Sequence, residues 1–186
     1  MVRNIEIDIE TLGTDPNSVI LSIGAVQFDE VGLTNPFHVH ICPESCEAAG
    51  LTMDARTVLW WLEQSKEAQE SIVSKDQISL KDALTKLSLA FNWQDAKVWS
   101  NGIDFDLTIL ENAFKKLNMV IPWKYFNKMD YRTLKKLVPD DIYKKVKVEP
   151  SVKHNALFDA YAQAETTQNI LRRLGFKLYL PDVAQT

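Results

Sequence analysis

Cysteine is scarce: Cys42 and Cys46 are the only two in 186 residues, too few for a disulfide framework. No apolar run approaches the roughly 18 residues that a membrane-spanning helix needs. Internal repeats, linkers and low-complexity tracts are absent too. Met1-Val-Arg-Asn-Ile enters an apparent strand at once, leaving no room for a signal peptide. Together these absences fit a reducing cytosol, and a cytoplasmic location is the expectation. What remains is ordinary globular material, 46% hydrophobic and 25% charged, which excludes disorder. The length suits one compact domain, 1–186, large enough to bury a substantial core.

Net positive charge is also lacking, since the formal balance is −4. The average hides an uneven distribution. Residues 114–153 hold eleven Lys or Arg against four acids, a local charge of +7, and the remainder is −11. A basic segment on an acidic protein can guide a phosphate backbone by local attraction. A solvated amphipathic surface without a partner accounts for the same charges.

Periodicity organises the chain. Arg3–Glu10 alternates, with Ile5, Ile7 and Ile9 on one face and Glu6, Asp8 and Glu10 on the other, a strand signature. Gly13 to Ser18 reads as a loop. Val19–Phe28 reads as a buried strand, and Pro36–Ile41 alternates again, so these three segments predict a strand meander. Helices are expected at Thr57–Glu63 and Lys66–Val73. Ser79–Phe91 is amphipathic through Leu80, Ala83, Leu84, Leu87 and Phe91, with Ser79 as cap. A strand over Ala96–Ser100 precedes helices at Asp106–Leu117 and Tyr131–Val138. A long final helix, Asn155–Leu174, closes at Gly175. Strands first, then helices with a strand among them, imply an α/β domain with a mixed sheet.

Asp8 and Glu10, two apart on a strand, project from one face. Paired carboxylates repel unless something positive lies between them, and a divalent cation takes such oxygen ligands. For the pair alone, a solvent-exposed acidic face is the simpler explanation. Asp106 stands where a strand turns into a helix, as would a first-turn acid favoured by the helix dipole, and Asp104 lies two residues before it. His154 and Asp159 open the last helix, close enough to share a site, and histidine suits proton abstraction near neutral pH.

The ordered set Asp-x-Glu, Asn-x-x-x-Phe-Asp and His-x-x-x-x-Asp resembles the DEDDh branch of the DnaQ-like 3′→5′ exonucleases. The first block, Ile7-Asp8-Ile9-Glu10-Thr11-Leu12-Gly13, matches that family's opening motif, and Ile20-Leu21-Ser22-Ile23-Gly24-Ala25-Val26 is similar to its second strand. Trp60-Trp61 and Asp130-Tyr131-Arg132-Thr133 are more specifically similar to the Rv2179c-like exoribonuclease subfamily and related phage exonucleases. The resemblance implies an RNase H-like α/β fold with a mixed five-stranded sheet flanked by helices. It implies hydrolysis from the 3′ end of single-stranded RNA or DNA, releasing nucleoside 5′-monophosphates. Two divalent cations, Mg²⁺ or Mn²⁺, would be held by Asp8, Glu10, Asp106 and Asp159, with His154 as general base. Asp104 stands where the pattern carries an uncharged residue and competes with Asp106, although the Phe-Asp spacing favours Asp106. Thr11 and Leu12 would contact the terminal nucleotide, through backbone and side chain. Trp61 and Arg132 are candidates for base stacking and phosphate binding. Neighbours on a helix lie roughly 100° apart, so only one of Trp60 and Trp61 can face the core squarely. The resemblance also admits a homodimer.

Two rivals share the fold: a non-catalytic nucleic-acid-binding domain and an RNase H-type endonuclease. The intact acids and His154 disfavour the first, and His154 five residues before Asp159 disfavours the second. His38, His40, Cys42 and Cys46 offer zinc ligand types, but at a spacing that matches no common module. Solvent-facing strand residues are the default there.

Overall fold

The computed structural model describes residues 3–176. Six strands form one sheet: β1 (Asn4–Thr11), β2 (Ile20–Phe28), β3 (Leu33–Ile41), β4 (Gln77–Ile78), β5 (Lys97–Ser100) and β6 (Lys128–Asp130). Their order is β4-β3-β2-β1-β5-β6. The first three make the expected antiparallel meander, and β5, β6 and β4 add in parallel. The sheet therefore has six strands rather than five. Its two marginal strands, of two and three residues, are too short to show a period of two.

Among the described residues eight α-helices surround it: α1 (Pro43–Ala48), α2 (Ala55–Leu62), α3 (Lys66–Ile72), α4 (Leu80–Ala90), α5 (Asp106–Lys116), α6 (Tyr131–Leu137), α7 (Asp140–Val146) and α8 (Ala156–Arg173). Polar caps start several of them. The Ser79 side chain accepts from the Asp82 amide before α4, and Asn155 accepts from the Phe158 amide before α8. Such a cap contributes about 1 kcal/mol.

On one face, Ile5, Ile7 and Ile9 pack under Leu80, Ala83, Leu84 and Leu87 of α4 and Leu107, Leu110 and Phe114 of α5. Each fully buried leucine there contributes roughly 1.5–3 kcal/mol. The other face carries Glu6, Asp8 and Glu10, and α8 lies across it. Val26, Phe28, Trp99, Ala160, Ala164 and Leu171 form a second, smaller core between sheet and helix. β1 is thus covered on both sides, and the expectation of a solvent-exposed acidic face fails: Glu6 is fully buried. Alternation alone cannot tell a face bathed in water from one roofed by a helix.

Candidate active site

Three observations explain why the acids meet. Asp8 pairs with Gly24 across β1 and β2. A side chain at Gly24 would lie 2.1 Å from the Ala156 carbonyl carbon, so only glycine lets the start of α8 rest on the sheet beside Asp8. This close approach delivers Asp159, one turn into α8, to the carboxylates of β1. Oxygens of Asp8, Glu10 and Asp159 lie within 4.8 Å of one another. Asp106 closes the group from α5, its Oδ1 accepting from the Ile9 amide at 3.2 Å. Together with His154, Arg132, Asn101, Phe105 and Gln163 these four acids line one cleft.

The electrostatics are unfavourable for the acids by themselves. Burial, then the neighbouring Asp106, Glu10 and Asp159 charges, hold the Asp8 carboxyl well above its usual range, against one bond from Gln163. Glu10 is pushed up to about 8 by burial and by Asp159 and Asp106. Asp106 is pushed up to about 7, chiefly by burial, with the Ile9 amide opposing. Burial also raises Asp159, against the Asn155 amide and His154. No lysine or arginine forms an ion pair with any of the four among the described residues. Hard, closely spaced oxygen donors, with the Arg132 and His154 charges opposing the shifts of Asp106 and Asp159 only in part, are what a divalent cation requires, so the residues present fit such an ion.

His154 precedes α8 in a left-handed conformation, φ +60°. Two bonds hold it there. The Ser71 hydroxyl of α3 donates to its carbonyl at 2.7 Å, and the next amide, of Asn155, donates to Asp159 Oδ2 at 3.1 Å. Its ring stands edge-on to Trp60, centroids 5.0 Å apart, at the mouth of the cleft.

The description of the Rv2179c-like 3′-5′ exoribonuclease domain matches residues 3–171. The chain belongs to that family. An exodeoxyribonuclease of Enterobacteria phage T4 is 25% identical over 68% of this chain and 68% of its own. Among solved structures, zinc-bound E. coli exonuclease I with single-stranded DNA superposes with a TM-score of 0.70 at 16% identity. That match covers 94% of this chain but 41% of exonuclease I, so this chain spans less than half of that protein. Exonuclease X in complex with 5′-overhanging duplex DNA matches with a TM-score of 0.61 at 17% identity, over 94% of this chain and 95% of the other. The nuclease domain of 3′hExo, a DEDDh family member bound to rAMP, matches at 0.64 and 13% identity, over 97% and 96%. These likenesses establish the shared fold.

Around this cleft the remaining sequence candidates fall unevenly. Asp106 is 3% exposed and in the cleft, whereas Asp104 is exposed outside it. Thr11 lines a neighbouring pocket of about 530 Å³ with Glu10, Trp60, Trp61 and Phe105. Leu12 does not. Its amide donates to Val19, its carbonyl accepts from Asp54, and its side chain packs against two apolar clusters. Leu12 is half-buried, and its expected contact with a base stands as a proposal. Trp61, the tryptophan named for stacking, is 4% exposed, packs with Leu21 and Ala68, and donates from Nε1 to the Thr11 carbonyl. The freer ring is that of Trp60, 41% exposed. Arg132 makes no ion pair among the described residues; it donates to the Asn101 carbonyl at 2.8 Å and faces the cleft.

His38 and His40 are half-buried rather than solvent-facing, their rings 4.6 Å apart. Burial and the neighbouring His40 lower His38 to about 4. Cys42 donates to Glu44, and Cys46 is buried beside the Ile20 carbonyl, so these four do not assemble as ligands. Sequence reasoning missed Gln163, Ser71 and the role of Gly24. Only Gly24, inside a buried strand, carried a signal, because a glycine there marks close approach of another backbone.

Proposed function

We propose that this chain is a single exonuclease domain that removes nucleotides one at a time from the 3′ end of single-stranded RNA or DNA. Nucleoside 5′-monophosphates are the products. Asp8, Glu10, Asp106 and Asp159 hold two divalent cations, Mg²⁺ or Mn²⁺. The observation that carries the reading is the convergence of four carboxylates, none in an ion pair with Lys or Arg among the described residues, beside one histidine. Bound ions of this kind activate water, neutralise phosphate charge and stabilise the departing 3′ oxygen.

The chain's own residues supply position and proton transfer. An imidazole nitrogen of His154 accepts the proton of the attacking water, a contribution of roughly 10²–10⁴-fold. Gln163 fixes Asp8 by donating to its Oδ1 at 2.7 Å. Thr11, Trp60 and Phe105 wall the pocket beside Glu10, where the terminal nucleoside seats and the Trp60 ring stacks on its base. Arg132 faces the scissile phosphate.

Matched 5′-labelled RNA and DNA strands incubated with Mg²⁺, Mn²⁺ or EDTA test the reading. Stepwise shortening from the 3′ end is expected with metal, and none in EDTA. Undiminished degradation in EDTA would overturn it, and internal cleavage of a 3′-blocked strand would favour an endonuclease. His154→Asn keeps a residue that tolerates φ above zero. It should lower kcat by roughly 10²–10⁴-fold while leaving the thermal midpoint unchanged.

A further inference from the structure

The cleft does not end at the carboxylates. Beyond Asp159 it continues into a hollow of about 240 Å³ that shares Asn101, His154, Asp159 and Gln163 with the acidic site. Lys135 of α6, with Lys147 and Lys153 after α7, lines it, together with Glu149. Lys135 Nζ donates to Asn101 Oδ1 at 3.1 Å and lies 5.1 Å over the Tyr131 ring. Burial and the Arg132 and Lys147 charges push its ammonium below the ordinary range. Lys135 and Lys153 have no ion pair among the described residues, and Lys147 has only the exposed Glu149.

Much of the basic segment is engaged elsewhere. Lys124 pairs with Asp95, Lys128 with Glu111 and Lys145 with Asp141, while Lys116 reaches the Gly50 carbonyl. Three lysines converging on one concave surface, next to the reacting centre, form a site for anions held in a row. At Glu10 and Phe105 the acidic cleft instead borders the pocket walled by Trp60 and Trp61, which suits a nucleoside. The two ends of the cleft thus differ in chemistry, and that difference gives the strand a direction.

Resting on the exonuclease reading, we propose that Lys135, Lys147 and Lys153 bind the backbone phosphates on the 5′ side of the scissile bond. The strand then enters between α6, α7 and the start of α8, crosses the acids, and ends against Trp60.

The test measures binding and hydrolysis separately. Fluorescence anisotropy on the full chain carrying Asp8→Asn, with Mg²⁺, reads the affinity for 5′-labelled octanucleotides of thymidine and uridine. Adding K135A, K147A and K153A should weaken binding by roughly 10–100-fold. It should also flatten the dependence of log Kd on log salt by about 2, at about 0.7 per lost contact to a single strand. K75A, K81A and K86A together remove the same charge from exposed positions away from the cleft, and should leave Kd within about twofold, as remote cations are screened. Without the Asp8 change, the cleft-lysine triple should lose at least about tenfold more kcat/KM on an oligonucleotide than on the p-nitrophenyl ester of thymidine 5′-monophosphate, because that ester has no upstream phosphate. Equal losses in both triples, or no loss in the first, would overturn the lysine site while leaving the exonuclease reading intact. Absence of metal-dependent ester and oligonucleotide hydrolysis by the unaltered chain would overturn both.

Discussion

Gln163 offers a donor and an acceptor, and only the donor is used. Its Nε2 holds Asp8 Oδ1 at 2.7 Å, while its Oε1 is buried without a partner among the described residues. The bond favours the charged form of Asp8 against burial and three neighbouring acids, so Gln163 keeps Asp8 available as a ligand. Gln163→Leu should lower metal affinity and kcat together by about 10–100-fold, the size typical of losing a group that orients a ligand. Titrating activity with Mn²⁺ checks this: an unchanged metal dependence would mean that the glutamine only fills space. Little in the sequence marked this residue. Asp8, Glu10, His154 and Asp159 were legible because their spacings are local. Gln163 faces the site only because of the rotation at which α8 crosses the sheet, a tertiary fact. The tryptophans show the same limit. Helical geometry says that one must turn outward, but only packing against Leu21 and Ala68 chooses Trp61 for the core.

At the scale of elements, the junction of β2 and α8 positions the site. Gly24 faces the Ala156 backbone at a distance that no Cβ can share. Gly24→Ala must push the start of α8 off the sheet, at a cost of about 1–3 kcal/mol for overpacking. The same shift moves His154 and Asp159 away from Asp8. Since misplacement by about 1 Å can cost roughly 10²-fold in rate, activity should fall by at least about 10-fold, and by more than the lost stability explains. Gly32→Ala, where nothing lies within 4 Å, is the control. A Gly24→Ala protein with normal melting and normal turnover would show that the helix tolerates the shift. Elements with long runs of period were visible in the chain itself: β1 by alternation, α4 by its leucines and Ser79, α8 by Asn155 and Gly175. β4 and β6, of two and three residues, were not, being too short for a period to show, nor were α1 and α7, which bury only Cys46 and no side chain respectively.

For the whole molecule, the acidic site sets function against stability. Glu10 titrates near 8 and Asp106 near 7, with Asp8 also raised, all chiefly by burial. In the unfolded chain these groups titrate near 4. Without metal the folded state therefore binds more protons than the unfolded state between those limits, and stability falls as pH rises through that window. The stabilising contribution is complete below about pH 4 and is lost as pH rises through the folded-state values, about 7 for Asp106 and about 8 for Glu10. Acid loss at other carboxylates could mask the trend in the unaltered protein alone, so the difference from Asp8→Asn is the cleaner measure. In EDTA, Asp8→Asn should melt above the unaltered chain, by a margin that widens from pH 5 to pH 8. At about 2–4 °C per kcal/mol for a domain of this size, several degrees are expected at pH 8. Mn²⁺ should then raise the midpoint of the unaltered chain, because a ligand bound only to the folded state stabilises it, and should raise that of Asp8→Asn far less. A margin independent of pH would mean that the carboxylates are neutralised by something within the protein, and the requirement for a cation would lose its physical basis.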